Sequence, residues 1–101
     1  GVPIVIGIPI PFVPERFAKQ EWFADRDNEY ITQQCERLAQ VLRAFCASRG
    51  IPIIDYREAF LNGDGTVKTQ LFTDALHPNA GGHRVMAELL CRRLGEIFPA
   101  T

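Results

Sequence analysis

Asp74-Ala75-Leu76-His77-Pro78-Asn79 puts a carboxylate three residues before an imidazole and closes the stretch with a proline. That pairing is the acid and base end of a hydrolytic triad. The acid fixes the ring tautomer and stabilises the imidazolium that forms when the ring takes a proton from a nucleophile. One short turn brings the Asp74 and His77 side chains within reach of each other. Pro78 disfavours helical geometry at His77, which keeps the imidazole on a loop. Asn79 is placed to cap a following helix, and Gly81 and Gly82 allow close packing where the chain turns. A nucleophile to match is missing. The one serine, Ser48, lies in Ala47-Ser48-Arg49-Gly50, at an expected helix end that does not suit catalysis. A zinc site built from Asp74, His77 and His83 is a weaker alternative; the favoured chemistry needs neither metal nor cofactor. Asn62-Gly63-Asp64-Gly65 resembles part of a calcium loop. Its frame puts Phe60 and Leu71 where carboxylates are required, so it reads as a turn.

The elements that must hold the pair are read from hydrophobic period. Val2–Ile8 is nearly continuous and β-branched, as a strand covered on both faces would be. Pro9, Pro11 and Pro14 then hold an extended loop. Phe17, Trp22 and Phe23 follow, either lining a pocket or packing the loop down. From Asp27 to Arg49 the period becomes helical: Ile31, Cys35, Leu38, Leu42 and Phe45 share one face. Asp25 or Asp27 can cap its start, and Gly50 is the glycine expected past its end. Ile51–Asp55 reads as a second buried strand, which makes a βαβ unit with a right-handed crossover. Asp55 is expected to reach a nearby loop or helix terminus. Arg57–Leu61 is a candidate short helix. A last helix runs from Asn79 to about Ile97, burying Val85, Met86, Leu89, Leu90, Leu94 and Ile97.

Bulk properties exclude several classes. The 101 residues amount to one small domain or part of one. A net charge of -1 without a basic patch argues against nucleic acid. No apolar stretch has the roughly 18 residues of a membrane span. Cys35 and Cys46 share the predicted helix, roughly 16 Å apart, too far for a disulfide. With Cys91 they give an odd, scattered set that leans toward a reducing compartment; localisation is otherwise open. Two strands are too few for a covered parallel sheet. The chain therefore reads as the C-terminal half of a three-layer α/β/α domain of roughly 200 residues.

The longer string Asp74-x-x-His77-Pro78-Asn79-x-x-Gly82, placed after a βαβ unit and a proline-rich loop, resembles the last block of the SGNH, or GDSL, hydrolases. The resemblance covers essentially the whole chain. It implies a flavodoxin-like α/β fold with a parallel sheet, of which residues 1–101 are the C-terminal portion. It also implies a serine ester hydrolase of the esterase, lipase or acetylesterase type, acting without a cofactor on a small-molecule ester. Asp74 would orient His77. His77 would serve as base toward a serine hydroxyl and then as acid to the leaving group. The family's Gly-Asp-Ser nucleophile motif and its Gly-x-Asn-Asp-like oxyanion motif have no match here. The chain alone is then expected to be inactive, with the missing N-terminal half or a complementary chain as its partner. The runner-up is a non-catalytic α/β fragment whose sheet edge binds such a chain. Substrate choice among lipids, aryl esters, acylated sugars and thioesters is not set by the fold.

Overall fold

Strand β1 (Ile6–Ile8) and strand β2 (Ile53–Asp55) pair in parallel, with Ile6 opposite Ile53 and Ile8 opposite Asp55. They are joined by helix α1 (Asn28–Arg49), followed by helix α2 (Tyr56–Ala59) and helix α3 (Ala80–Ile97). This is a computed structural model, and it describes residues 2–19 and 28–99. Trp22, Phe23, Asp25 and Asp27 lie outside the described residues, as does the Phe17 side chain.

The expected βαβ unit is present, with shorter strands. Ladder pairing ends at Asp55 because Asp55 leaves the strand to start α2: its Oδ1 accepts the Glu58 N–H at 3.0 Å. The strand must stop where the cap begins. Upstream, Val2, Pro3 and Ile4 are exposed and outside the ladder, although Ile6 N–H still reaches the Pro52 carbonyl at 3.1 Å. The proline loop also differs from expectation, because Pro14–Lys19 form a 3-10 turn. A proline at the first helical position has the right φ and lacks only an N–H that would be unpaired there.

Helix α1 ends as Gly50 requires. Gly50 has φ 66°, and the Ile51 N–H returns to the Cys46 carbonyl at 2.9 Å. Its covered face is rotated from the expected one. Ala39 and Cys46 are buried and Leu42 half-buried, while Leu38, Val41 and Phe45 are exposed. Small residues face inward where the helix approaches β1. Along α3, Val85, Met86, Leu89 and Ile97 are half-buried, but Leu90 and Leu94 are exposed, contrary to expectation.

Both long helices grip β2 with arginine forks, which suit planar oxygen acceptors. From α1, Arg43 Nε and Nη2 donate to the two Asp55 oxygens at 2.9 and 3.2 Å. From α3, Arg93 Nε and Nη2 donate to the Ile53 carbonyl at 3.2 and 2.9 Å. Arg57 is buried and pairs with Glu36 of α1 at 2.7 Å, as a buried charge requires.

The core consists of Val13, Phe60 and Phe72, with Ile10, Ala59, Val67, Leu71, Val85 and Met86 against it. Phe60 and Phe72 meet edge to face, 5.4 Å between centroids and 73° between planes, a favourable aromatic geometry. Phe72 is thus a packing residue. It is also the first residue of the segment that carries Asp74 and His77. No described helix is long and apolar enough to cross a membrane.

Candidate active site

Asp74 and His77 sit on a loop whose ends are fastened to each other. Phe72 and Pro78 form an antiparallel bridge. The Thr73 N–H donates to the His77 carbonyl at 2.8 Å, and the Asn79 N–H donates to the Leu71 carbonyl at 2.9 Å. Inside the loop, Asp74 Oδ1 accepts the Leu76 and His77 N–H groups at 2.7 and 2.8 Å. Aspartate bonds readily to its own following backbone in this way. Ala75 is fully buried and pins the loop to the core.

The pair meets as the spacing predicts. His77 Nδ1 is 2.9 Å from Asp74 Oδ2 and 3.1 Å from Oδ1. A carboxylate at Nδ1 places the proton on that nitrogen and leaves the lone pair on Nε2. The His77 side chain is 70% exposed and that of Asp74 31%. The ring is therefore largely at the surface, with Nδ1 turned to the carboxylate and Nε2 on the edge away from it.

Two backbone N–H groups and the ring bond favour the charged carboxylate. Led by the Leu76 N–H, then the His77 ring, then the His77 N–H, they lower the Asp74 pKa to about 2. A depressed carboxylate pKa contributes stability above the unfolded value near 3.9, lost as pH falls through the folded value. The expected result is that the Asp74 carboxyl 13C signal titrates near pH 2, with protection of the Leu76 and His77 amides failing over the same range. A titration near pH 4 would mean that these bonds do not hold in solution.

Asn79 closes the segment and opens α3. Its Oδ1 accepts the Gly82 N–H at 3.0 Å, and its Nδ2 donates to the Gln70 carbonyl at 2.8 Å. Gly82 is buried: a methyl placed there would overlap the Leu71 carbonyl oxygen and come within 2.8 Å of Pro78 Cβ.

A protein-family comparison matches residues 2–85 to the GDSL-like lipase/acylhydrolase family. The chain belongs to that family. Its fold agrees with two crystal structures. One is a GDSL-like lipase from Bacteroides thetaiotaomicron, with a TM-score of 0.73 and 18% identity over 96% of this chain and 44% of that one. The other is a provisionally assigned acylhydrolase from Bacteroides fragilis, with a TM-score of 0.71 and 20% identity over 95% of this chain and 43% of that one. This GDSL-like chain spans less than half the length of either neighbour. No match was found among curated proteins.

Other candidate groups in this GDSL-like chain do not converge on the pair. Ser48 Oγ donates to the Phe45 carbonyl at 2.8 Å, within the last turns of α1. Burial pushes the Cys35 thiol pKa up, the wrong direction for a thiolate nucleophile. Among the described residues no group of three metal-ligating side chains forms; Asp74 and His77 meet, and His83 does not join them. Asp64 accepts the Thr66 N–H and hydroxyl at 3.0 and 2.6 Å, which makes its segment a turn. A cleft of about 630 Å³ opens between α1 and the 61–67 turn, lined by Phe12, Glu36, Arg57, Leu61 and Val67; neither Asp74 nor His77 lines it.

Sequence reasoning missed two contributors from the proline loop. The Val13 N–H donates to the Ala75 carbonyl at 2.9 Å. Arg16 Nη1 donates to the Phe72 and Asp74 carbonyls, both at 3.3 Å, and Nη2 to the Thr69 carbonyl at 3.4 Å. A backbone N–H carries no side-chain signal, and an arginine after Pro14-Glu15 belongs to no periodic pattern.

Proposed function

We propose that this chain supplies the acid and the base of a serine carboxylic ester hydrolase, with the serine and the oxyanion donors carried by a segment outside these 101 residues. The observation that carries the reading is the Asp74–His77 pair, with the carboxylate on Nδ1 and an exposed ring beyond it. In the first half-reaction Nε2 takes the serine proton as Oγ attacks the ester carbonyl. The imidazolium, stabilised by Asp74, then passes that proton to the departing alcohol. In the second half-reaction Nε2 takes a proton from water, and hydroxide attack on the acyl carbonyl releases the acid and returns a proton to serine. No step needs a metal or a cofactor. The lipase and acylhydrolase likenesses support an ester substrate.

Exposed apolar residues on α1 (Leu38, Val41 and Phe45) and on α3 (Leu90 and Leu94) support cover from chain outside these 101 residues. On this reading the covering segment also bears the nucleophile. The test is covalent labelling of the polypeptide from the complete reading frame with a fluorophosphonate probe. The expected label falls on a serine in a Gly-Asp-Ser context upstream of Gly1. A label on Ser48, or a folded, complete polypeptide that takes no label, would overturn the reading. A stable complex with a second polypeptide and no esterase activity would favour the binding fragment instead.

A further inference from the structure

Four backbone carbonyls of residues 69–75 point back to the turn that follows β1. Arg16 holds those of Thr69, Phe72 and Asp74, and the Val13 N–H holds that of Ala75. We propose that Arg16 is a positioning residue for the Asp74–His77 pair, clamping the backbone from which the carboxylate hangs. The proposal rests on the acid–base reading of that pair.

The geometry favours arginine. A guanidinium presents five donors in a rigid plane, so one side chain can satisfy several carbonyls from one position. The contacts, at 3.3–3.4 Å, are at the long end of hydrogen-bond distances, so each is weak and the set acts together. They span 53 to 58 residues of sequence, tying the β1 side of the domain to the loop. The bonds within the loop orient the carboxylate relative to Leu76 and His77. They do not orient the loop relative to the sheet. The Asp74 and Ala75 carbonyls do, because they are held from outside the loop. A positional error of about 1 Å at a reacting group is enough to cost about a hundredfold in rate. A clamp on this peptide therefore bears on the direction of His77 Nε2 through the backbone carbonyls that Arg16 holds.

The test uses the polypeptide from the complete reading frame, 15N-labelled, with Arg16→Ala, Arg16→Lys and Asp74→Asn. The readouts are the His77 ring proton and nitrogen resonances, with His83 as internal reference, and amide exchange at Leu76 and His77 against Leu89 and Leu90 of α3. Arg16→Ala is expected to move the His77 ring signals toward those of Asp74→Asn and to speed exchange at Leu76 and His77 by about tenfold. The α3 amides and His83 stay unchanged. Arg16→Lys restores the signals part-way, because an ammonium reaches fewer carbonyls. Unaltered His77 signals in Arg16→Ala overturn the proposal. So does a loss of protection spread evenly over α3, up to unfolding, in both Arg16 variants, because Arg16 is then a fold residue only. A silent Asp74→Asn removes the pair itself, and with it both readings. A normal Asp74→Asn response beside a silent Arg16→Ala removes only the role of Arg16.

Discussion

Replacing His77 by alanine in the polypeptide that carries the nucleophile is expected to lower kcat for aryl-ester hydrolysis by a factor on the order of 10⁶, with KM changed only a few-fold. Without the imidazole nothing takes the serine proton, and the hydroxyl is a poor nucleophile at neutral pH. Binding contacts and the oxyanion donors are untouched, so the remaining acceleration over water should be theirs. Asp74→Asn keeps a hydrogen-bonding group of similar shape but favours the wrong ring tautomer, and a loss of about 10⁴ is expected. The two losses should not add, because Asp74 acts through His77. His83→Ala provides the contrast: His83 is exposed on α3, and its removal should leave turnover within twofold. Steady-state kinetics on one aryl ester checks all three. A His77→Ala enzyme retaining a tenth of the parental kcat would remove the general base from the account.

Gly82→Ala is expected to destabilise the chain by about 1–3 kcal/mol, although alanine is the better helix former by about 1 kcal/mol. The reason is rigid contact. The added methyl would overlap the Leu71 carbonyl oxygen and lie 2.8 Å from Pro78 Cβ and 3.3 Å from the Phe60 ring. A carbonyl already bonded to the Asn79 N–H cannot swing aside without opening the loop closure. Gly95, in the same helix, has nothing within 4 Å of its added methyl. Gly95→Ala should therefore gain up to about 1 kcal/mol. The opposite signs make the comparison informative, because propensity alone predicts a gain at both positions. Urea midpoints measured on the two variants decide it. Gly82→Ala should also speed amide exchange at Leu76 and His77, which Gly95→Ala should leave alone.

Much of the site was legible in the sequence because its main contacts are local. Asp74 and His77 are three residues apart, Pro78 and Asn79 follow directly, and Asn79 caps Gly82 as its type and place predict. The βαβ order and the Gly50 terminator were legible for the same reason. The supports were not. Which side of an amphipathic helix is covered depends on what lies against it. The chain buries the small Ala39 and Cys46 and leaves the large Leu38 and Phe45 outside. Strand length was overestimated because β-branched residues continue past the ladder, and Asp55 diverts the backbone into α2 after three paired residues. The Arg16 contacts join residues more than fifty positions apart, and no periodic pattern encodes such a pairing.

The five residues between the Phe72–Pro78 bridge positions hold acid and base together. Closing so short a loop costs far less chain entropy than joining groups across a domain. The pair is in this sense a cassette: the carboxylate–imidazole contact closes within its own neighbourhood, and the distant Arg16 and Val13 contacts only seat the finished loop on the rest of the fold. Asp74 and His77 therefore move as a unit: whatever displaces the loop carries both side chains together and leaves their mutual geometry unchanged.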